Sequence, residues 1–280
     1  MKKIFIMVLC LVLVLSLAGC GNEIPGNSEL SRLVGDAIIA DNSSSYLDGE
    51  CSGEGHKILG YSKTGNRLTV YALTMFGNYG FQNDMFTKVS GSGVIPAVLT
   101  FEKTGEAYNL LDIEYPRDGT EYVKSIMQMF PLKHRIAALN CDAAHDKLKA
   151  QEQNYAKEYL IGIEREAEIG EFRDLDVVLL TDLGVSVPVS NKLSGCRELA
   201  DYPFWVGTTE HLDNGVRYVR SLSYDEEAGQ IIYTTVEKGT GVVTECFVFD
   251  AATGDALSAG TVVSQMAPVG PPVESCERDS

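Results

Sequence analysis

Histidine is scarce in this 280-residue chain: His56, His134, His145 and His211 are all it has. None is followed by Glu, so the HExxH arrangement that holds zinc and a general base on one helix face is absent. Glu54 and His56 stand two apart on a strand-like stretch and could share a metal ion. Two ligands fall short of the three or four that zinc takes. No Ser is followed three residues later by Lys, which removes the acyl-serine motif of penicillin-recognising enzymes. Lys-Thr-Gly occurs at 63–65 and again at 103–105, each time where a hairpin turn is expected. GxSxG, the P-loop and GxGxxG are missing. Ser90-Gly91-Ser92-Gly93 leads into a strand pattern, not a helix, and reads as a loop and not a phosphate cradle. Asp225-Glu226-Glu227 lacks the ligand spacing of a calcium loop. No catalytic residue, metal ligand or cofactor is therefore assigned.

The aromatic residues suggest recognition. Phe76-Gly77-Asn78-Tyr79-Gly80-Phe81 sets three rings among two glycines between strand-like stretches. In a loop, the glycines leave the backbone open and the rings supply contact area, which makes Phe76, Tyr79 and Phe81 the candidate binding residues. The same rings can instead cap a sheet, and both readings stand at this stage. Tyr202-Pro203-Phe204-Trp205 holds the single tryptophan, read as core because Trp buries so much area. Lys and Arg number 23 against 39 Asp and Glu, a net charge of −16. Nucleic acid is excluded as a partner, since binding it needs a basic patch that neutralises phosphates. Hydrophobic residues make up 45% of the chain, enough for a core.

Lys2 and Lys3 precede an apolar run from Ile4 to Leu17. The run is shorter than the ~20 residues a membrane helix takes and has the length of a signal-peptide core. It closes on Leu17-Ala18-Gly19-Cys20, which resembles the lipobox of bacterial lipoproteins. The resemblance implies that residues 1–19 are a cleaved signal and that Cys20 carries a diacylglyceryl group. Two acyl chains give stable anchoring, so the expected location is the extracytoplasmic face of the cell membrane. Residues 20–28 would form the tether. Losing Lys2 and Lys3 leaves a still more acidic body, which stands off an anionic leaflet. Cys51, Cys141, Cys196, Cys246 and Cys276 then remain, an odd number with no CxxC among them. That pattern supports neither a zinc ribbon nor a thioredoxin-type centre, and leaves disulfides and buried thiols both open.

The elements that must position these residues can be read from periodicity. Leu30, Leu33, Val34, Ala37 and Ile38 mark one face of a helix over Glu29 to Ala40. From Gly55 the period becomes two. Strands are expected at Ile58–Ser62, Arg67–Met75, Met85–Ser90, Val94–Phe101 and Tyr108–Tyr115, an antiparallel meander with one face to cover. A short helix through Met129, a second after Pro131 and a long charged helix from Ala143 to about Glu168 supply the cover. In the long helix, Leu148, Tyr155, Tyr159 and Ile163 share a face and Glu152 is assigned to solvent. A strand at Asp176–Leu180, a short helix within Ser190–Ala200, and strands at Phe204–His211, Val216–Ser223, Gln230–Glu237 and Val242–Phe249 follow. Asn214-Gly215 is the strongest of their hairpin turns. The expected fold class is α+β: two small antiparallel-sheet-plus-helix domains, 29–168 and 169–266, joined by the long charged helix, with a disordered tail over 267–280.

Several stretches resemble a known family. Gly55–Gly60, Val70-Tyr71-Ala72, Phe76–Phe81 and Phe86–Pro96 are similar to the extracytoplasmic C-terminal region of some BlaR/MecR-type regulatory metallopeptidases of Gram-positive bacteria. The likeness covers residues 45–160. The peptidase part and the acyl-serine sensor domain have no counterpart here, so it implies an accessory domain and carries over no catalytic residue. Residues 215–257 resemble the strand endings of small PepSY-like inhibitory domains, through Val248–Gly254. The function expected is a lipid-anchored, non-catalytic binding or signalling-accessory module, with an envelope protein or peptide as partner. An envelope hydrolase working through carboxylates that no motif marks, and a structural lipoprotein, are the alternatives.

Overall fold

The computed structural model describes residues 25–265. The signal segment, Cys20, residues 21–24 of the tether, Cys276 and the tail from 267 lie outside the described residues. The expected pair of small domains joined by a charged helix does not form. Eleven strands are hydrogen-bonded into one sheet, in the order β11-β10-β9-β8-β7-β2-β3-β6, with β1 on β2 and β4 between β2 and β5. In sequence these are β1 (Cys51–Thr64), β2 (Arg67–Gln82), β3 (Met85–Gly91), β4 (Ile95–Thr104), β5 (Ala107–Glu114), β6 (Ile169–Glu171), β7 (Gly207–Asp213), β8 (Val216–Asp225), β9 (Gln230–Glu237), β10 (Val242–Asp250) and β11 (Ala256–Gln265). The registered pairings are antiparallel save β3 with β6, which is parallel.

The reason for the difference lies in β2. It was expected to end at Met75, yet it runs 16 residues. Its first half pairs with β4, from Arg67↔Glu102 to Thr74↔Ile95. Its second half pairs with β3, from Gly77↔Gly91 to Gln82↔Met85, and Gln82 also meets Thr209 of β7. A strand that changes partners along its length draws two meanders into one ladder.

Five helices accompany the sheet among the described residues: α1 (Asn27–Asn42), α2 (Tyr122–Met129), α3 (Leu132–Leu139), α4 (His145–Gly162) and α5 (Val187–Ser194). α4 stops at Gly162, and Glu164 then takes a positive φ of 52° that turns the chain away. It is not a linker. Leu148, Glu152, Ala156 and Leu160, spaced by four, are all buried, so one stripe of the helix faces the protein. Glu152, expected in solvent, lies in that stripe.

The chain forms two compact units that interleave along the sequence. The first takes the chain to Asn42, Glu54–Met75 and Gly93–Ala150; the second takes Ser43–Gly53, Phe76–Ser92 and everything from Gln151. In the first, α1 lies against β5 and buries Leu30, Val34, Ala37 and Ile38, the stripe its periodicity marked. Ile126 of α2, Phe130 just after it and Ala138 of α3 pack on Val98, Leu59 and Tyr71. In the second, Tyr79, Phe81 and Phe86 pack with Ala156 and Leu160, and α5 adds Val189 and Leu193 to a cluster with Leu222, Ile231, Tyr233 and Phe249. Each such Leu, Ile or Phe contributes about 1.5–3 kcal/mol of burial.

Candidate functional site

The second unit contains a cleft of about 690 Å³, within the range of small-ligand and peptide sites. The segment Asp201–Trp205, just before β7, forms one wall; Phe172 adds to it, and Thr209–Leu212 of β7 and Arg220 of β8 line the cleft further. Leu47–Glu50, Gly80–Gln82 and Val89 complete the lining. The aromatic wall is a set of interlocked rings. Phe172 meets Trp205 edge-on at 5.1 Å between centroids, and Phe204 meets Trp205 at 4.9 Å and 85°. Trp205 is buried, but Phe204 is 62% exposed. An exposed Phe backed by a buried Trp is a contact surface already held rigid.

The polar side of the cleft is unusual. Four buried side-chain nitrogens lack a hydrogen-bond partner among the described residues, and three of them belong to residues lining this cleft: Trp205 Nε1, His211 Nδ1 and Arg220 Nε. Two are obligate donors, and the imidazole nitrogen takes either sense with its tautomer. Most buried polar atoms are paired, and each orphan costs about 1–3 kcal/mol. Arg220 reaches the exposed Asp201 at 3.4 Å through Nη2. His211 stacks on Tyr218 at 5.3 Å. Burial, with Arg220 nearby, lowers the His211 pKa below its usual value, so the ring is neutral at pH 7.

Two carboxylates of the cleft, Glu210 and Glu50, are already engaged. Glu210 accepts a forked pair of hydrogen bonds from Arg165, at 2.6 and 2.8 Å, and further bonds from Arg217 and Lys238. Burial alone would raise its pKa; the bonds from Arg165 and Lys238 outweigh it and take the carboxyl down to about 2. Glu50 accepts from Arg217 and from the Tyr159 hydroxyl. The Arg165 guanidinium lies 3.4 Å from the Phe81 ring centroid. An aromatic wall with three unpartnered nitrogens buried in its lining residues suits the cleft to an apolar group that carries an acceptor.

The residues flagged in the sequence fall in several places. Phe76, Tyr79 and Phe81 are strand residues of β2, each 1% exposed, and not an open recognition loop. Phe76 stacks on Tyr46, and the Tyr79 hydroxyl donates to the buried Glu152 at 2.8 Å. Of the three, only Phe81 borders the cleft. Glycines 77 and 91 are what allow this: a Cβ on either would strike Glu152 or the opposite strand. Lys88 completes the buried set at 3.0 Å from Glu152. Glu54 and His56 are hydrogen-bonded at 2.9 Å, but among the described residues no three His, Cys, Asp or Glu side chains group as a metal site. Cys51, Cys141, Cys196 and Cys246 are free thiols. His211 and Arg220 escaped the sequence reading because nothing local marks them.

Compared with known proteins, the chain matches no family model, no curated protein and no solved structure.

Proposed function

We propose that this protein is a lipid-anchored, extracytoplasmic binding module of the cell envelope, a signalling accessory whose cleft captures an apolar peptide segment through a carbonyl or carboxylate oxygen. The observation that carries the reading is the set of three unpartnered nitrogens beside an exposed aromatic wall. An extended peptide offers acceptors along its backbone and apolar side chains between them. Capture at this cleft requires no chemistry, in keeping with an accessory role. The anchor rests on Leu17-Ala18-Gly19-Cys20, and the likeness of residues 45–160 to regulator-appended domains favours an envelope partner.

Trp205, the only tryptophan, lines the cleft, so its fluorescence reads occupancy directly. Titration with a library of apolar tetrapeptides should shift the emission saturably. Phe204→Ala should weaken binding about tenfold or more with little change in melting temperature, because an exposed ring adds contact and not core. Unaltered emission across the library, or equal binding by the variant, rejects the cleft as the site. Cys20→Ala should release the protein from membrane fractions or leave the precursor unprocessed; processed variant still on membranes would contradict the anchor.

A further inference from the structure

The first unit carries a hydrogen-bonded chain that the binding role does not use. Ser31 of α1 places Oγ 2.8 Å from His56 Nε2, and His56 Nδ1 lies 2.9 Å from Glu54 Oε2. We propose that Ser31, His56 and Glu54 form a hydrolytic centre for short-chain acyl esters, an activity beyond binding and contrary to the expectation of a non-catalytic chain. The connectivity is that of a nucleophile, its base and the carboxylate that orients the base. Glu54 is 5% exposed and can accept from His56 only through Nδ1–H, the tautomer in which Nε2 faces the serine hydroxyl as an acceptor. The His56 side chain is 10% exposed and Ser31 is half-buried, so substrate arrives from solvent while the orienting acid stays dry.

The position of Ser31 adds an electrostatic element. It is the fifth residue of the 16-residue α1. Side chains on a helix lean toward its N-terminus, so Oγ lies over the first turn. There the early backbone N–H groups have no acceptor within the helix, and the dipole is positive. A developing oxyanion on a carbonyl attacked by Oγ is stabilised by that field.

The reaction balances within these groups and water. Ser31 Oγ bonds to the ester carbonyl carbon as its proton passes to His56 Nε2. The tetrahedral adduct collapses, the ester C–O bond breaks, and the alcohol leaves with the proton from His56. Water then attacks acyl-Ser31, gives its proton to Nε2, and releases the carboxylic acid as the serine recovers its own. Ser31 is half-buried, which favours a small acyl group such as acetyl on an exposed alcohol.

The test uses the full-length protein with a fluorophosphonate probe and p-nitrophenyl acetate. One label should appear, mapped to Ser31 by peptide mass, together with ester hydrolysis. Ser31→Ala should lose both. Glu54→Gln and His56→Gln should each slow labelling by about 10²-fold or more, while peptide-induced Trp205 emission stays as in the wild type. Exogenous imidazole should restore part of the His56→Gln rate. A folded wild-type protein that takes no label, or takes it elsewhere than Ser31, overturns the proposal whatever the variants do, and leaves the cleft reading untouched.

Discussion

Glu210 shows how a single residue links the second unit to pH. Its carboxyl lies at about 2 in the fold against an ordinary 4.5. Between those values the unfolded chain binds the proton and the folded chain does not. The contribution of Glu210 to stability is therefore complete above about pH 4.5 and is lost as pH falls toward 2. Denaturant melts from about pH 6 down to about pH 3 should show wild-type stability declining more steeply than that of Glu210→Gln, whose side chain does not titrate. Parallel curves would mean the Arg165, Arg217 and Lys238 contacts are worth little in solution. Residue-level reading of the sequence could not reach this cluster. Glu50, Arg165, Glu210, Arg217 and Lys238 are scattered over nearly 190 positions; the pairing of β7 with β8, the packing of Arg165 on Phe81, and backbone bonds from Lys238 to Arg217 and from Glu50 to Tyr79 bring them together.

Among the elements, β1 and α4 show a contact that a side chain would forbid. A Cβ on Gly55 would collide with the backbone carbonyl of Leu148, and backbone cannot swing aside. Gly55→Val should destabilise the protein by about 1–3 kcal/mol or more, measured as a fall in denaturation midpoint, with Gly93→Val, where a Cβ meets nothing and φ is not positive, as the control for a β-branched substitution. A midpoint unchanged by Gly55→Val would show that α4 does not rest on β1. The hairpins were legible because their turns are local chemistry. Asn214 and Gly215 take φ of 50° and 81°, as the Asn-Gly pair demands. The passage of β2 through Phe76–Phe81 was not legible. Glycine reads as a break from neighbours in sequence, whereas here Gly77 and Gly80 pair with Gly91 and Thr87, and Gly77 makes room for a buried carboxylate. Glu152 misled in the same way, since a charge in a helix is assigned to water until its Tyr79 and Lys88 partners are known. For the cleft, Trp205 stood out in the sequence only as bulk, and its role depends on the unpaired nitrogens of His211 and Arg220 beside it.

At the scale of the whole molecule, the charge of −16 and the donors of the cleft pull in opposite directions. An anionic peptide is repelled at long range and attracted only once inside, where the unpaired nitrogens lie. Salt screens the first effect over a Debye length of about 8 Å at physiological strength and barely touches the second. Association of a carboxylate-terminated peptide should therefore quicken as salt rises, the reverse of ordinary charge-steered binding, by stopped-flow emission of Trp205. A rate that falls with salt would place the captured group in a locally positive field that outweighs the net charge.

The interleaving of the two units has a consequence for cutting and for folding during synthesis. The chain passes between them at 42/43, 53/54, 75/76, 92/93 and 150/151, and the third of these passages falls inside β2. No single proteolytic nick can free either unit as a piece. The first has all its segments once Ala150 has been synthesised. The second must keep Ser43–Gly53 and Phe76–Ser92 waiting for partners that arrive only with the later strands. A chain of this design is most exposed to proteases and aggregation during that interval, so slow synthesis of its C-terminal half should reduce yield far more than slow synthesis of its first half.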